Sequence, residues 1–501
     1  MFKTAILLSL IGWFVFPGRA GTVNGITLEN FTGLPLARSR LTLERLDGGR
    51  MNPVGTAVAS GNGQFSFGPL EEGYYQLRAN RAGFAEGRVG QRRNGGPGLP
   101  IFVPREGVQF VELRLKRLAI ITGRTLDENR VGLPGVPVYA YQAGVPARIA
   151  ASAISDDLGV YRITGLAAGK YLIRTGPAQP DEALTLLPTY YPFTSVLLGD
   201  ARTVVAELDG ETGDVNIQPV AGSLRSLAIA VTGCLGSAQV TLSSDTGRKQ
   251  VTAVCNHDPV VFNALGPGEY EVVAEGEADR QKLAAFTFLQ LDSNRQIGLP
   301  LRPLVELRVR LIDGVGPAIR DAGVIVRRRD LAGEGPAIAV TSERLPLQPG
   351  YWQITARTPV GYYLSDVKVG AIGYRRARKD PDPDWFEFSL ESAIQASISI
   401  STQAAQLSGH VSLGGKEAIA APVYLLPTTS QTRRRMNGPR ITQTDRNGNY
   451  RFEGLAPGTY LVTSSFDLAD VSEESMAGRA QTITIEEGRS NTQDLELSQQ
   501  R

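Results

Sequence analysis

Histidine is almost missing from this chain: His257 and His410 are the two among 501 residues. Cysteine is as scarce, with Cys234 and Cys255 alone. These shortages narrow the chemistry. A Ser-His-Asp triad would have to use one of the two histidines, and no G-x-S-x-G elbow accompanies either. Cys234, Cys255 and His257 make three candidate zinc ligands where a structural site wants four. A disulfide between Cys234 and Cys255 is the simpler expectation for an exported chain. Charge of one sign is lacking too: 52 basic residues face 50 acidic ones, for a net charge of +2. That balance argues against a nucleic-acid partner, which calls for a basic excess or a basic face. Beyond the N-terminal segment no apolar run is long enough to span a bilayer as a helix, so no membrane anchor is expected once that segment is removed.

That segment reads "MFKTAILLSLIGWFVFPGRAGT". Lys3 gives a short positive region, Thr4 to Phe16 is apolar, and Gly18-Arg19-Ala20 places small residues where a signal peptidase reads. Residues 1–20 are expected to be a signal peptide cut near Ala20, and the mature chain to be secreted, periplasmic or at the cell surface. No cysteine lies near the cut, so a lipid anchor is not expected.

Glycine (56) and proline (30) are plentiful without collagen periodicity, which suits many short strands joined by tight turns. One stretch recurs. "NGNYRFEGLAPGTY" from Asn447 has counterparts in "NGQFSFGPLEEGYY", "LGVYRITGLAAGKY", "PVVFNALGPGEY" and "LPLQPGYW". The shared core, L-x-x-G-x-(Y/W), pairs Leu70 with Tyr75, Leu166 with Tyr171, Leu265 with Tyr270, Leu347 with Trp352 and Leu455 with Tyr460. Copies are separated by roughly 80 to 110 residues, the size of a domain. In the last copy Tyr450 and Phe452 share a face, Gly458 supplies the corner, and Tyr460 and Val462 again share a face. The motif therefore predicts a strand, a tight corner and a second strand, with the aromatics buried. Flanking segments such as "AQLSGHVSL" and "APVYLLP" alternate or run apolar as strands do.

The expectation is all-β: five antiparallel sandwiches in tandem, Ig-like or prealbumin-like, of about seven strands each. They span 21–118, 119–220, 221–302, 303–404 and 405–501. The third and fourth are degenerate, having lost the Asn/Asp-Gly turn before the corner. Joints are short, so the string is expected to be semi-rigid and extended.

"LSGHVSL…APVYLLP…TDRNGNYRFEGLAPGTYLV" resembles the carboxypeptidase regulatory-like domain, a transthyretin-like sandwich grouped with the carbohydrate-binding-like fold. "LPTYYPFTS" and "PGYWQITARTPVGYYLSDVKVG" resemble large secreted bacterial proteins built of such repeats. The resemblance implies fold and export. It implies no single activity, because such domains serve as stalks, enzyme appendages and binding modules. The H-x-x-E pair of a metallocarboxypeptidase is absent around both histidines. Related collagen-adhesin repeats carry Lys–Asn isopeptide links, and the opening strands of units one and two have no lysine for one. "DRNGN" at Asp445 reads as a turn rather than a calcium loop, since it lacks the terminal acidic ligand at the right distance, with Pro457 falling near that place.

No catalytic, metal or cofactor residue is thus assigned. Candidate ligand contacts are Tyr190, Tyr191 and Trp385, aromatics in "PTYYPF" and "DPDPDWFEF" that have no partner at strand spacing and so could keep a flat ring face for a sugar. Basic runs at Arg327–Arg329, Arg375–Arg376 with Arg378–Lys379, and Arg433–Arg435 are expected to solvate loops and strand edges. The functional expectation is an exported non-catalytic stalk or interaction scaffold, its partners polysaccharide or other surface proteins. A carbohydrate-binding protein or accessory module of polysaccharide degradation is the alternative, and a glycoside hydrolase the last.

Overall fold

The computed structural model describes residues 21–143, 149–178, 185–192, 201–312, 321–369, 382–468 and 470–498. The expected signal segment lies outside them. The chain is a tandem array of five β-sandwiches.

Each sandwich packs two sheets of three to five strands face to face. In the second, the smaller sheet runs Val160–Leu166, Ala119–Arg124, Glu211–Thr212, and the larger runs Ile149–Ile154, Pro137–Gln142, Gly169–Thr175, Thr203–Ala206. The fifth repeats the plan with Ala405–Leu413 beside Asn449–Leu455, over Arg440–Gln443, Pro422–Pro427, Gly458–Ser464 and Gln481–Ile485. The corner motif therefore carries the chain from the sheet of the opening strand to the facing sheet. One feature departs from a purely antiparallel expectation. In every unit the opening strand pairs in parallel with a strand near the end of the unit: Thr22 with Val108, Ile120 with Glu211, Leu227 with Arg295, Leu307 with Ile394 and Gln406 with Ser490. Parallel neighbours need a long crossover, and here most of the facing sheet lies within it.

The five main apolar clusters match the five sandwiches, and each holds its corner leucine or its aromatic or both. Burial alternates along the motif strands as the pleat requires: Asn449–Leu455 reads exposed, buried, exposed, buried, with Tyr450 and Phe452 inward. The aromatic after the corner does more than fill space. Tyr75 donates its hydroxyl to the Glu71 carbonyl at 2.7 Å, Tyr171 to Ala167 at 2.9 Å, Tyr270 to Gly266 at 2.7 Å and Tyr460 to Ala456 at 2.6 Å. Trp352 does the same through Nε1 to Gln348 at 3.0 Å. The acceptor is always four residues back, immediately after the leucine, so one ring both plugs the core and satisfies a carbonyl left over by the corner, as in a tyrosine corner. Gly458 has φ of +154°, and a Cβ there would meet Thr432 Oγ1 at 2.6 Å, which explains glycine at this place.

A second clasp ties the residue before the second strand to the residue after the third. In the second unit the Val136 amide donates to Ser155 Oγ at 2.9 Å, and in the fifth Ala421 donates to Thr444 Oγ1 at 2.8 Å. In the third unit these two places hold Cys234 and Cys255, which are disulfide-bonded with their Cα atoms 5.6 Å apart. A covalent link there replaces a side-chain hydrogen bond.

Each unit has an apolar cluster of its own, so the units are separate cores joined by smaller contacts. The expected open string is not what those contacts make: Arg92 of the first sandwich lies 3.6 Å from Asp467 of the fifth. A short joint fixes the angle between neighbours, and that angle can curve an array as readily as extend it.

Candidate functional site: the joints between sandwiches

The residues singled out for ligand binding lie at joints, and the structure buries two of them. Tyr190 is 3% exposed, stacked under Arg174 at 4.8 Å from guanidinium to ring centre, with its hydroxyl donated to Asp245 at 3.1 Å. Trp385 is 7% exposed and covered by Arg327 at 4.1 Å. The free ring face expected of them is absent because an arginine occupies it. Tyr191 is half-buried and packs against the core of the second sandwich. Phe193 lies outside the described residues.

Between the second and third sandwiches, Arg174 of the larger sheet is 5% exposed and reaches Asp245 of the third at 3.1 Å. Burial pushes the Tyr190 phenol up, and the nearby Arg174 pulls in the other direction. Between the third and fourth, Asp330 is 4% exposed. It accepts Arg248 Nε at 2.7 Å and Nη2 at 2.8 Å, a bidentate pair, together with Ser243 Oγ at 2.8 Å. The bond to Asp330 holds the Arg248 guanidinium above its ordinary value. Phe286 and Tyr351 meet edge to face at 5.8 Å in the same joint, and Gln348 donates to Glu275 across it. Burial pulls Arg328 below its ordinary value, with Glu271 opposing. A cleft of about 340 Å³ opens beside this joint, lined by Glu275, Glu277, Lys282, Ile338, Gln348 and Trp352.

The first joint is centred on Asp209, which accepts Asn30 Nδ2 at 2.9 Å and the Arg117 amide at 2.6 Å. Arg117 also bonds Glu29 and holds its carboxyl below the usual range. In the fourth joint Arg433 bonds Asp384 at 2.9 Å, and Tyr363 and Ser401 donate to Glu487 at 2.7 and 3.0 Å. Burial pushes the Tyr363 phenol up to about 12.

The basic runs accordingly differ from expectation. Arg327 pairs with Asp382 at 2.7 Å, Arg328 covers Phe286, and Arg329 bonds Glu387. Arg433–Arg435 sit in a helix, Ser430–Met436, that Thr429 caps. Arg375, Arg376, Arg378 and Lys379 lie outside the described residues. Sequence reasoning missed Arg174, Asp245, Arg248 and Asp330 as a set; three lie on strands and Asp245 in a hairpin turn, and no local pattern marks any of them.

His257 is exposed in a turn and His410 half-buried in the strand Ala405–Leu413, in different sandwiches. Among the described residues no three His, Cys, Asp or Glu side chains gather to hold a metal, and no helix is long and apolar enough to cross a membrane.

The fold and its joints define a tandem β-sandwich protein. No family model matches the chain and no curated protein does. It is similar to the minor pilin GBS52 of Streptococcus agalactiae, at 14% identity over 41% of this chain and 97% of that one, with a TM-score of 0.26. It is similar to the major pilin subunit BcpA of Bacillus cereus, at 12% identity over 56% and 99%, TM-score 0.16, and to the Bacillus anthracis TIE protein, at 12% over 91% and 68%, TM-score 0.16. Likenesses of this size carry no functional weight.

Proposed function

We propose that this chain is an exported, non-catalytic scaffold whose sandwiches are of the carboxypeptidase regulatory-like type. Its task is to hold several β-sandwich surfaces in fixed relation. The observation that carries this reading is the use of the chain's charged and aromatic residues. Arg174, Tyr190, Asp245, Arg248, Asp330, Arg433 and Asp384 are spent on joints. A carboxylate held by a bidentate arginine has its lone pairs occupied and is a poor general base. The division into units at 118, 220, 302 and 404 is part of this proposal. The pairing of the Arg302–Pro303 strand with Ala284 and Leu283 of the third sandwich supports setting that joint one residue later.

The burial of Tyr190 and Trp385 removes the support for a sugar platform. The test is a glycan array together with a panel of chromogenic ester, peptide and glycoside substrates, applied to the mature chain. The scaffold reading expects neither retention nor turnover. Turnover that disappears on replacing one carboxylate would contradict it.

A further inference from the structure

We propose that the first and fifth sandwiches are each other's docking partner, so that the array closes on itself through a contact no linker enforces. The four linked joints share a chemistry: a carboxylate of one sandwich takes the arginine or amide donors of its neighbour. The contact between the chain's two ends has the same chemistry. Asp467, 6% exposed in the fifth sandwich, faces Arg92 of the first at 3.6 Å. Two further features make this a fitted surface and not a chance approach of two charges.

The first is steric. Gly96 is buried, and a Cβ there would lie 3.0 Å from the Leu468 carbonyl. At Gly49 a Cβ would lie 2.8 Å from the Gln443 carbonyl. Backbone of one sandwich therefore approaches backbone of the other at two places where a side chain would intrude. The second is apolar. Leu99 of the first sandwich packs against the core cluster of the fifth. A seam with a packed leucine, two close backbone approaches and a charge pair on a buried acid is built like a joint. Because three more sandwiches already tether the two faces, closure within one chain faces an effective concentration that a second copy in dilute solution does not match.

The seam is small and partly polar, so it is also the contact that can open without breaking a core. This goes beyond the scaffold reading, which requires fixed neighbours but not joined ends.

The test uses the full mature chain, spin-labelled at Asn94→Cys in the seam loop of the first sandwich and Glu474→Cys in the fifth, both exposed. The native cysteines are bonded to each other and do not take label. Closure predicts a dominant short-distance population in a pulsed dipolar measurement, unchanged when labelled chain is diluted tenfold into unlabelled chain. Adding Arg92→Glu and Gly96→Asp, both in the seam loop of the first sandwich, should reduce that population several-fold and leave the melting profile of the sandwiches in place. If the short population is absent, or vanishes on dilution because it arises between copies, closure within the chain is wrong. If it survives both seam substitutions, the assigned residues do not make the contact. Neither result touches the scaffold reading, which glycan retention or substrate turnover decides.

Discussion

Replacing Arg248 by Ala should uncouple the third and fourth sandwiches at a cost that can be worked from the joint itself. Asp330 is 4% exposed and takes both Arg248 nitrogens at 2.7 and 2.8 Å. Without Arg248 the carboxylate keeps Ser243 Oγ at 2.8 Å and its own hairpin amide from Ala332 at 2.9 Å. Stranding a fully buried ion costs about 3–5 kcal/mol. The Arg248 side chain is 40% exposed, so water reaches the vacated place and part of that cost is recovered. A loss of about 2 kcal/mol is expected, with a coupling energy of about 1.5 kcal/mol in a cycle with Asp330→Ala. The assay is favourable. In a chain prepared without residues 1–20, Trp352 and Trp385 are the only tryptophans, and both belong to the fourth sandwich. Fluorescence during urea unfolding therefore reports that sandwich alone. A coupling energy below about 0.5 kcal/mol would place Arg248–Asp330 among ordinary surface pairs and refute the claim that the joint is held by it.

The corner aromatics give a second prediction. Tyr460→Ala should destabilise the fifth sandwich by about 3–5 kcal/mol, whereas Tyr460→Phe should cost about 1–2 kcal/mol by orphaning the Ala456 carbonyl; a Tyr460→Phe chain as stable as the parent in denaturant titrations would mean that the hydroxyl contributes nothing. Changing both Cys234 and Cys255 to Ser opens a link of sequence separation 21 and should lower stability of the third sandwich by about 3 kcal/mol, read by thermal unfolding with and without reductant on the parent chain. Burial raises the Tyr270 phenol from 10.0 to about 12. The unfolded phenol ionises first, so the unfolded chain binds fewer protons in this window; the contribution is whole below pH 10 and is lost as pH rises toward 12. The third sandwich should lose on the order of 2–3 kcal/mol across it, and Tyr270→Phe should flatten the pH dependence measured by denaturant unfolding.

Much of one unit is legible in the sequence, because burial in a sheet has a period of two and a corner needs glycine. Tyr450, Phe452, Leu455, Gly458 and Tyr460 announce both. The hydroxyl bond of the corner is not visible in the string, since its acceptor is a backbone carbonyl. The parallel closing pair is likewise hidden: Thr22 and Val108 are far apart in sequence, and either alternates like any other strand. Aromatics outside the strands invite a surface reading, but Tyr190 and Trp385 are covered by Arg174 and Arg327 from other strands. Which arginine covers which ring depends on how the strands lie in space. The same holds for the curvature that brings Arg92 to Asp467, which is set by four joint angles that no local pattern encodes.

Small-angle scattering of the mature chain tests the central claim most directly, that five separate sandwiches are held by polar joints in a closed array. Five domains of about 13 Å radius of gyration, in contact around a cycle, give about 31 Å; a straight row of the same domains gives about 48 Å, and one globule of this length about 23 Å. The account predicts a value near 31 Å for the unmodified chain. A value near 48 Å for the unmodified chain would contradict closure, and one near 23 Å would contradict the separate sandwiches themselves.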